Sequence, residues 1–423
     1  MVLLLTLALA GNYDRFVEQV SGEARAWTEP TLAGSNEPAR EAWQKLWLAA
    51  GPSSDFDSDG PKRVGDSGVR RALRRAWDPT LPKPRKLSEA CVALGWPELS
   101  DDPVIARVDT PTCLLLKQHR LHLGQWQAAA KGGSPRNPAP AFDAFMEDGE
   151  GLRSTYPLRS MARSAMLLAW AEGDPIDAAA ASARLGWDLT LGGDVSVTLS
   201  GLSTLQDAHD VLKGYALESD RGELERIAVV SEELAATPTD LQQLARLAYL
   251  SSVTLMLRAV DPESALIAHG TVASRRAPLG SLGDLDAMKL PIKQFLKGAH
   301  REAWTKAFEM ATIRDFDKRQ EALRGLATEL EESGGPVAAL VGAAASQEIE
   351  GLARWDTRIT VRRQEACLLG AAVKLALGRE AGACPLGLEQ REDGLYATRT
   401  AEQLELKGRW LEALYMPVPA PPD

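Results

Sequence analysis

Several features are scarce in this 423-residue chain, and each scarcity removes a class of function. Basic charge is not in excess. There are 48 Lys and Arg against 58 Asp and Glu, a net charge of −10, so the overall positive field of a nucleic-acid binder is missing. Cysteine is limited to Cys91, Cys113, Cys367 and Cys384, with no C-x-x-C pair, which leaves a zinc ribbon or a thioredoxin-like redox motif unsupported. Neither G-x4-G-K-S/T nor G-x-G-x-x-G occurs, so no glycine-rich loop is built to cradle a phosphate. The nucleophile patterns G-x-S-x-G and S-x-x-K are also missing. Beyond the first eleven residues, no run reaches the ~18 apolar residues of a spanning helix.

What is present is enough to build a large core. Apolar residues make up 45% and charged residues 25%, which excludes a disordered chain, a collagen-like repeat and a small disulfide knot. Nine of the ten residues from Met1 to Ala10 are apolar, and Ala8-Leu9-Ala10 before Gly11 has the shape of a signal cleavage site. A basic n-region is lacking, so two readings stand: an export or anchor segment, or a buried start to a cytosolic chain. The four cysteines fall as two local pairs. Export would favour Cys91–Cys113 and Cys367–Cys384, whereas a reducing compartment would leave four buried thiols.

Helical periodicity dominates the pattern. Phe16, Val20, Ala24 and Trp27 share one face at spacings of three and four, and Trp43, Leu46 and Trp47 repeat the device after Asn36 and Pro38. Residues 51–66 are loop by composition, and 132–141 (GGSPRNPAPA) break the chain. The run 158–174 ends in a Gly-Asp turn, and helix resumes at Pro175 through Ala178–Ala183. This resembles one tetratricopeptide-type hairpin, but the period of about 34 residues does not recur. Asp220 followed by Glu223 predicts a capping box. Further helices are expected over 239–260, 286–310 and 315–333. Gly334-Gly335-Pro336 is a breaker, and a long helix is expected over 337–378. Residues 395–399 (LYATR) fit a short strand, and the closing MPVPAPPD fits an exposed tail. The expected fold is all-α: antiparallel helical hairpins stacked as an irregular bundle or short solenoid, with at most one small hairpin. Four regions follow: a hydrophobic N-terminal segment (1–11), a helical and loop-rich region (12–131), a main helical domain (142–378) and an irregular C-terminal piece (379–423).

Three stretches, GEARAWTEPTLAG (22–34), MARSAMLLAWAEGDPIDAAAASARLGWDLT (161–190) and RRQEACLLGAAVKLALGREAGACP (362–385), together resemble a loose family of uncharacterised bacterial envelope proteins. Those have an N-terminal hydrophobic segment, a helical body and a short pilin-like C-terminal turn. The resemblance implies fold and location, not chemistry. Cys384 stands where that family's turn usually carries an aromatic, and the replacement fits a disulfide to Cys367.

Four constellations carry candidate chemistry. Asp55, Asp57 and Asp59, with Gly60 and then Asp66, fill positions 1, 3, 5, 6 and 12 of a calcium loop, where alternate residues aim oxygens inward. Asp66 is shorter than the usual Glu, Lys62 replaces an apolar residue, and Gly51-Pro52 precedes in place of a helix. These departures favour a plain acidic linker over a weak calcium site. His119 and His122, near Cys113, offer only two imidazoles on one helix face. Asp207, His209 and Asp210 set a His among carboxylates, an arrangement that raises a His pKa toward general-base use. Surface salt bridging is the simpler role. The run Lys62, Arg63, Arg70, Arg71, Arg74, Arg75, Lys83, Arg85 and Lys86 suits nucleic-acid phosphates, an anionic lipid surface or simply a solvated face. The eleven tryptophans do not interleave with it and read as packing residues.

The sequence therefore points to a non-enzymatic, envelope-associated scaffold with a protein partner, periplasmic or membrane-anchored. The alternatives are a hydrolase-like enzyme assembled in three dimensions, an anionic-lipid or nucleic-acid binder through 62–86, and a cytoplasmic location. For the calcium loop the decisive measurement is melting temperature against calcium. A working site raises it at millimolar calcium, and a flat curve removes Asp55, Asp57, Asp59 and Asp66 as ligands.

Overall fold

A computed structural model describes scattered positions between 159 and 170 and between 241 and 249, together with residues 174–190, 195–237, 298–332 and 336–422. The N-terminal segment, the 55–66 loop, the 62–86 basic run, His119, His122, Cys91 and Cys113 lie outside the described residues. The described part is mostly helical: α1 Ile176–Thr190, α2 Val195–Ala216, α3 Arg221–Ala236, α4 Ala299–Met310, α5 Phe316–Glu332 and α6 Pro336–Ala376. Among the described residues, no helix is long and apolar enough to cross a membrane. The chain divides into two compact units. Of the described residues, those between 241 and 356 belong to the first, those between 159 and 237 and from 357 onward belong to the second, and α6 contributes to each.

The second unit is built around close helix contacts. In α1 an alanine-rich stretch, cheap to order as helix, buries Ala178 through Ala181 along with Leu185, Trp187 and Leu189. Asp174 accepts a hydrogen bond from the Ile176 amide at the start of this helix. Gly186 and Gly201 let α1 and α2 approach: a Cβ on Gly201 would lie 2.6 Å from the Gly186 carbonyl oxygen and 2.6 Å from the Thr190 nitrogen. The helical positions Ala162, Ala165, Met166, Ala169 and Trp170 are buried at spacings of three, one, three and one, the stripe of an amphipathic helix. Trp170 meets Tyr215 of α2 edge to face.

The expected capping box opens α3: Asp220 accepts from the Glu223 amide, and the Glu223 carboxylate accepts from the Asp220 amide. Leu224, Ile227, Ala228, Ser231 and Leu234 form its inner face. Gly370 of α6 faces Ser231, and Lys374 pairs with Glu232 beside it. The end of α6 is a Schellman motif. Gly378 sits at φ +72, its amide bonds the Leu375 carbonyl, and the Arg379 amide bonds the Lys374 carbonyl. Reversed there, the chain runs back along α6. The Gln364 side chain accepts from the Leu386 amide and donates to the Gly387 carbonyl, and a Cys367–Cys384 disulfide closes the same turn.

Three short strands follow: β1 Glu389–Arg391, β2 Gly394–Tyr396 and β3 Tyr415–Met416, antiparallel in the order β1-β2-β3. The expected single hairpin is thus a three-stranded sheet. The expectation of an exposed tail from Met416 also needs correction. Met416 pairs with Leu395 and is fully buried, because β2 offers it a partner that a proline-rich segment does not announce locally.

In the first unit, α5 docks on α6 through one carboxylate. Asp356 accepts two bonds of 2.9 Å from the Arg319 guanidinium and one of 2.8 Å from Gln320, whose amide also donates to the Ala353 carbonyl. Tyr249, His300 and Trp304 form an aromatic cluster in which the indole of Trp304 donates to His300 Nε2. His300 is thereby a packed core histidine.

The α1–α2 contact is a backbone-on-backbone steric constraint in the second unit. Gly201→Ala forces backbone to move, so it should destabilise by about 2–3 kcal/mol as overpacking does. The urea midpoint measures the loss. An unchanged midpoint would mean that α1 and α2 are not in this register.

Candidate functional site

Helix α2 sets Gln206, His209, Asp210 and Lys213 at spacings of three, one and three, and so places all four on one stripe. Asp207 lies to the side, toward positions 159 and 163. Helix α6 presents Arg362 and Glu365 three residues apart. The two sets meet inside the second unit. Exposure is 0% for His209 and Arg362, 1% for Asp210 and Glu365, and 4% for Lys213.

Sealing ions costs several kcal/mol each unless donors replace the lost water, by the order of magnitude known for buried pairs. Here the donors converge on Glu365. Lys213 Nζ donates to Oε1 at 2.5 Å, while Arg362 at 2.5 Å and His209 Nδ1 at 2.9 Å share Oε2. Lys213 also donates to the Glu412 backbone carbonyl at 3.3 Å. Arg362 donates to Gln206 at 3.0 Å and lies 4.2 Å from the centre of the Trp410 ring. Asp207 has its own cations: Arg163 Nε at 2.6 Å and Arg159 Nε at 3.1 Å.

Burial and charge then set the protonation states. Burial pushes His209 below its usual value, and Glu365 recovers only part of that loss while Arg362 and Lys213 add to it. Burial would raise Glu365, but Lys213, Arg362 and His209 outweigh it and hold the carboxyl well below the ordinary range. Asp210 goes the other way. Burial lifts it well above the usual carboxylate value, Glu365 and Asp207 lift it further, and Lys213 and Arg362 oppose. An ionised Glu365 can only accept, so the shared proton sits on His209 Nδ1 and Nε2 carries the lone pair. Among the described residues, neither His209 Nε2 nor either carboxylate oxygen of Asp210 has a hydrogen-bond partner.

Chemically this is a neutral imidazole oriented by a carboxylate, beside a carboxyl kept protonated: the electronic halves of a base and an acid. Access is what it lacks, because none of the side chains reaches solvent to any useful degree. The sequence-based picture of Asp207, His209 and Asp210 as surface salt-bridging residues is therefore overturned, and the expected rise of the His209 pKa is a fall. Glu365, Arg362 and Lys213 were missed. The available signal was a pair of opposite charges at 362 and 365 just before an apolar helical run, ACLLGAAV. The candidate metal residues Asp55, Asp57, Asp59 and Asp66 lie outside the described residues, as does the His119/His122 pair. Among the described residues, no group of three or more His, Cys, Asp or Glu side chains is placed to hold a metal ion.

Asp210 gives a clean test of sign. Its folded pKa is raised, so the stability it contributes is complete below the unfolded pKa near 3.8 and is lost as pH rises from there. Asp210→Asn avoids that loss. At pH 8 it should be more stable than the parent by more than about 1.4 kcal/mol, the free energy of a tenfold change in proton affinity. The gain should shrink toward zero near pH 4. Urea midpoints at the two pH values measure it, and a gain independent of pH would refute the buried, proton-bearing carboxyl.

No family model matches this chain, and no curated protein or solved structure matches it either.

Proposed function

We propose that the chain is a non-enzymatic helical scaffold of the bacterial cell envelope that docks a protein partner, its helical hairpins stacked as a bundle or short solenoid. The observation that carries the reading is the spending of the charged groups. His209, Lys213 and Arg362 all converge inward on Glu365, tying α2, α6 and the C-terminal turns together instead of presenting reactive atoms to solvent. Stacked helices more often bind than catalyse. The Cys367–Cys384 bond supports an oxidising compartment, where disulfides persist. That fits the apolar Met1–Ala10 segment and the envelope resemblance. The hydrolase-like alternative has one observation in its favour, the carboxylate-oriented imidazole of His209, and would need a route to Nε2.

Location is tested by fractionating the native host and alkylating thiols without prior reduction. The expected result is envelope-fraction protein whose Cys367 and Cys384 resist alkylation. Soluble cytoplasmic protein with both thiols alkylated would overturn the reading. Cross-linking in intact cells should then yield a defined protein adduct that survives His209→Gln. The bond also has a stability consequence. It closes a turn across 17 positions, so Cys367→Ser with Cys384→Ser, or reduction, should cost about 3 kcal/mol in urea unfolding.

A further inference from the structure

We propose that the open edge of the small C-terminal sheet pairs two copies of this chain, β1 against β1, antiparallel and centred on Gln390. Backbone geometry makes the edge available. Arg391 and Gly394 flank a two-residue turn and form the hydrogen-bonded pair that closes it, so Glu389 and Tyr396 form the next such pair. Between them Gln390 faces Leu395 without exchanging bonds, and its amide and carbonyl point outward, away from β2. Among the described residues, β1 has no strand on its other side. All three of its residues are exposed. That includes Gln390, which shares a face with the buried Leu395 and Met416, so the body stops short of β1 on the inner side as well.

The side chains decide which strand fits there. Natural edges are commonly guarded by lysine or proline, and β1 has neither. Its charges are Glu389 and Arg391, on the outer face, where they already pair with each other at 3.0 and 3.1 Å. A two-fold axis through Gln390 lets that residue exchange amide and carbonyl bonds with its counterpart. Glu389 then stands opposite the second copy's Arg391, and Arg391 opposite the second copy's Glu389. Both pairs occupy positions where no backbone bonds are exchanged and side chains come closest. The four charges form a square in which every neighbour, along a strand or across, has the opposite sign. A parallel copy would set Glu389 beside Glu389 and Arg391 beside Arg391. The edge is also formed before pairing. Arg391 lies 4.4 Å from the centre of the Tyr396 ring, which packs 4.8 Å from that of Tyr415, and the Tyr396 hydroxyl donates to Asp393. Strands of three residues bury little area, so the dimer is weak and salt-sensitive. The inference uses only the sheet edge and stands apart from the envelope reading.

Sedimentation velocity of the full chain from about 1 to about 300 μM is the test. A monomer–dimer equilibrium weakened by high salt is expected. Glu389→Arg and Arg391→Glu each set like charges opposite one another, and each alone should weaken the dimer at least about tenfold. Mixed in equal amounts, the two variants match again, Arg against Glu, and should bind each other at least about tenfold more tightly than themselves. Gln390→Pro removes the outward amide and spares both hydrogen-bonded pairs with β2, so it should leave monomer. Should that variant fail to fold, the charge variants decide, since their positions are exposed. A parent that stays monomeric across the range, a dimer untouched by the single charge variants, or variants that do not recover on mixing would each overturn the pairing.

Discussion

The second unit depends on one buried carboxylate. Glu365 is sealed from water, and the dielectric that makes an isolated ion intolerable there also strengthens every bond it accepts. Three donors meet the need, two from α2 and one from its own helix. Two of them carry a second obligation: Lys213 to the Glu412 carbonyl, Arg362 to Gln206 and the Trp410 ring. An apolar residue of similar size would avoid the desolvation cost altogether. What the ion adds is direction, since a carboxylate shared among three donors accepts only one arrangement of α2, α6 and the turns.

That arrangement is possible only because the backbones around it run close. Glycine at 186 and 201 brings α1 onto α2, and Gly370 brings α6 onto α3, where Ser231 leaves room. Gly378 takes the left-handed conformation that ends α6 and turns the chain, after which Gln364 and the Cys367–Cys384 bond hold the return path along the helix. The Glu412 carbonyl reaches Lys213 as a consequence of this reversal. Small residues, a helix stop and a covalent staple thus act together to position a polar cluster that none of them touches.

Local signals were legible and distant ones were not. The capping box at Asp220 and Glu223, the helix over 316–332 and the long helix beginning at Pro336 could all be read from residues within a few positions of each other. So, in part, could the short strand: of LYATR (395–399), Leu395 and Tyr396 fall in the strand Gly394–Tyr396 and the rest do not. The third strand could not, because Tyr415–Met416 sits beside prolines and exists only through pairing with β2. The cluster was hidden in the same way. His209 and Glu365 are 156 positions apart, and charge at 206–213 on a helix ordinarily signals a solvated face. Burial of that face is a property of the packing, not of the local pattern.

The inverted pKa of His209 follows from which charges are still available to it. Asp207 and Asp210 flank it in sequence, and two carboxylates beside an imidazole ordinarily raise its pKa. Asp207, however, is turned toward Arg159 and Arg163, so its charge is answered elsewhere. Asp210 is itself pushed by burial to keep its proton and offers little negative charge. Glu365 remains, and Lys213 and Arg362 share it. With the attractive charge divided and water excluded, desolvation decides, and the imidazole stays neutral. A histidine that sequence neighbours would make a base of raised pKa becomes, in the fold, a neutral ring ready to take a proton when water reaches it.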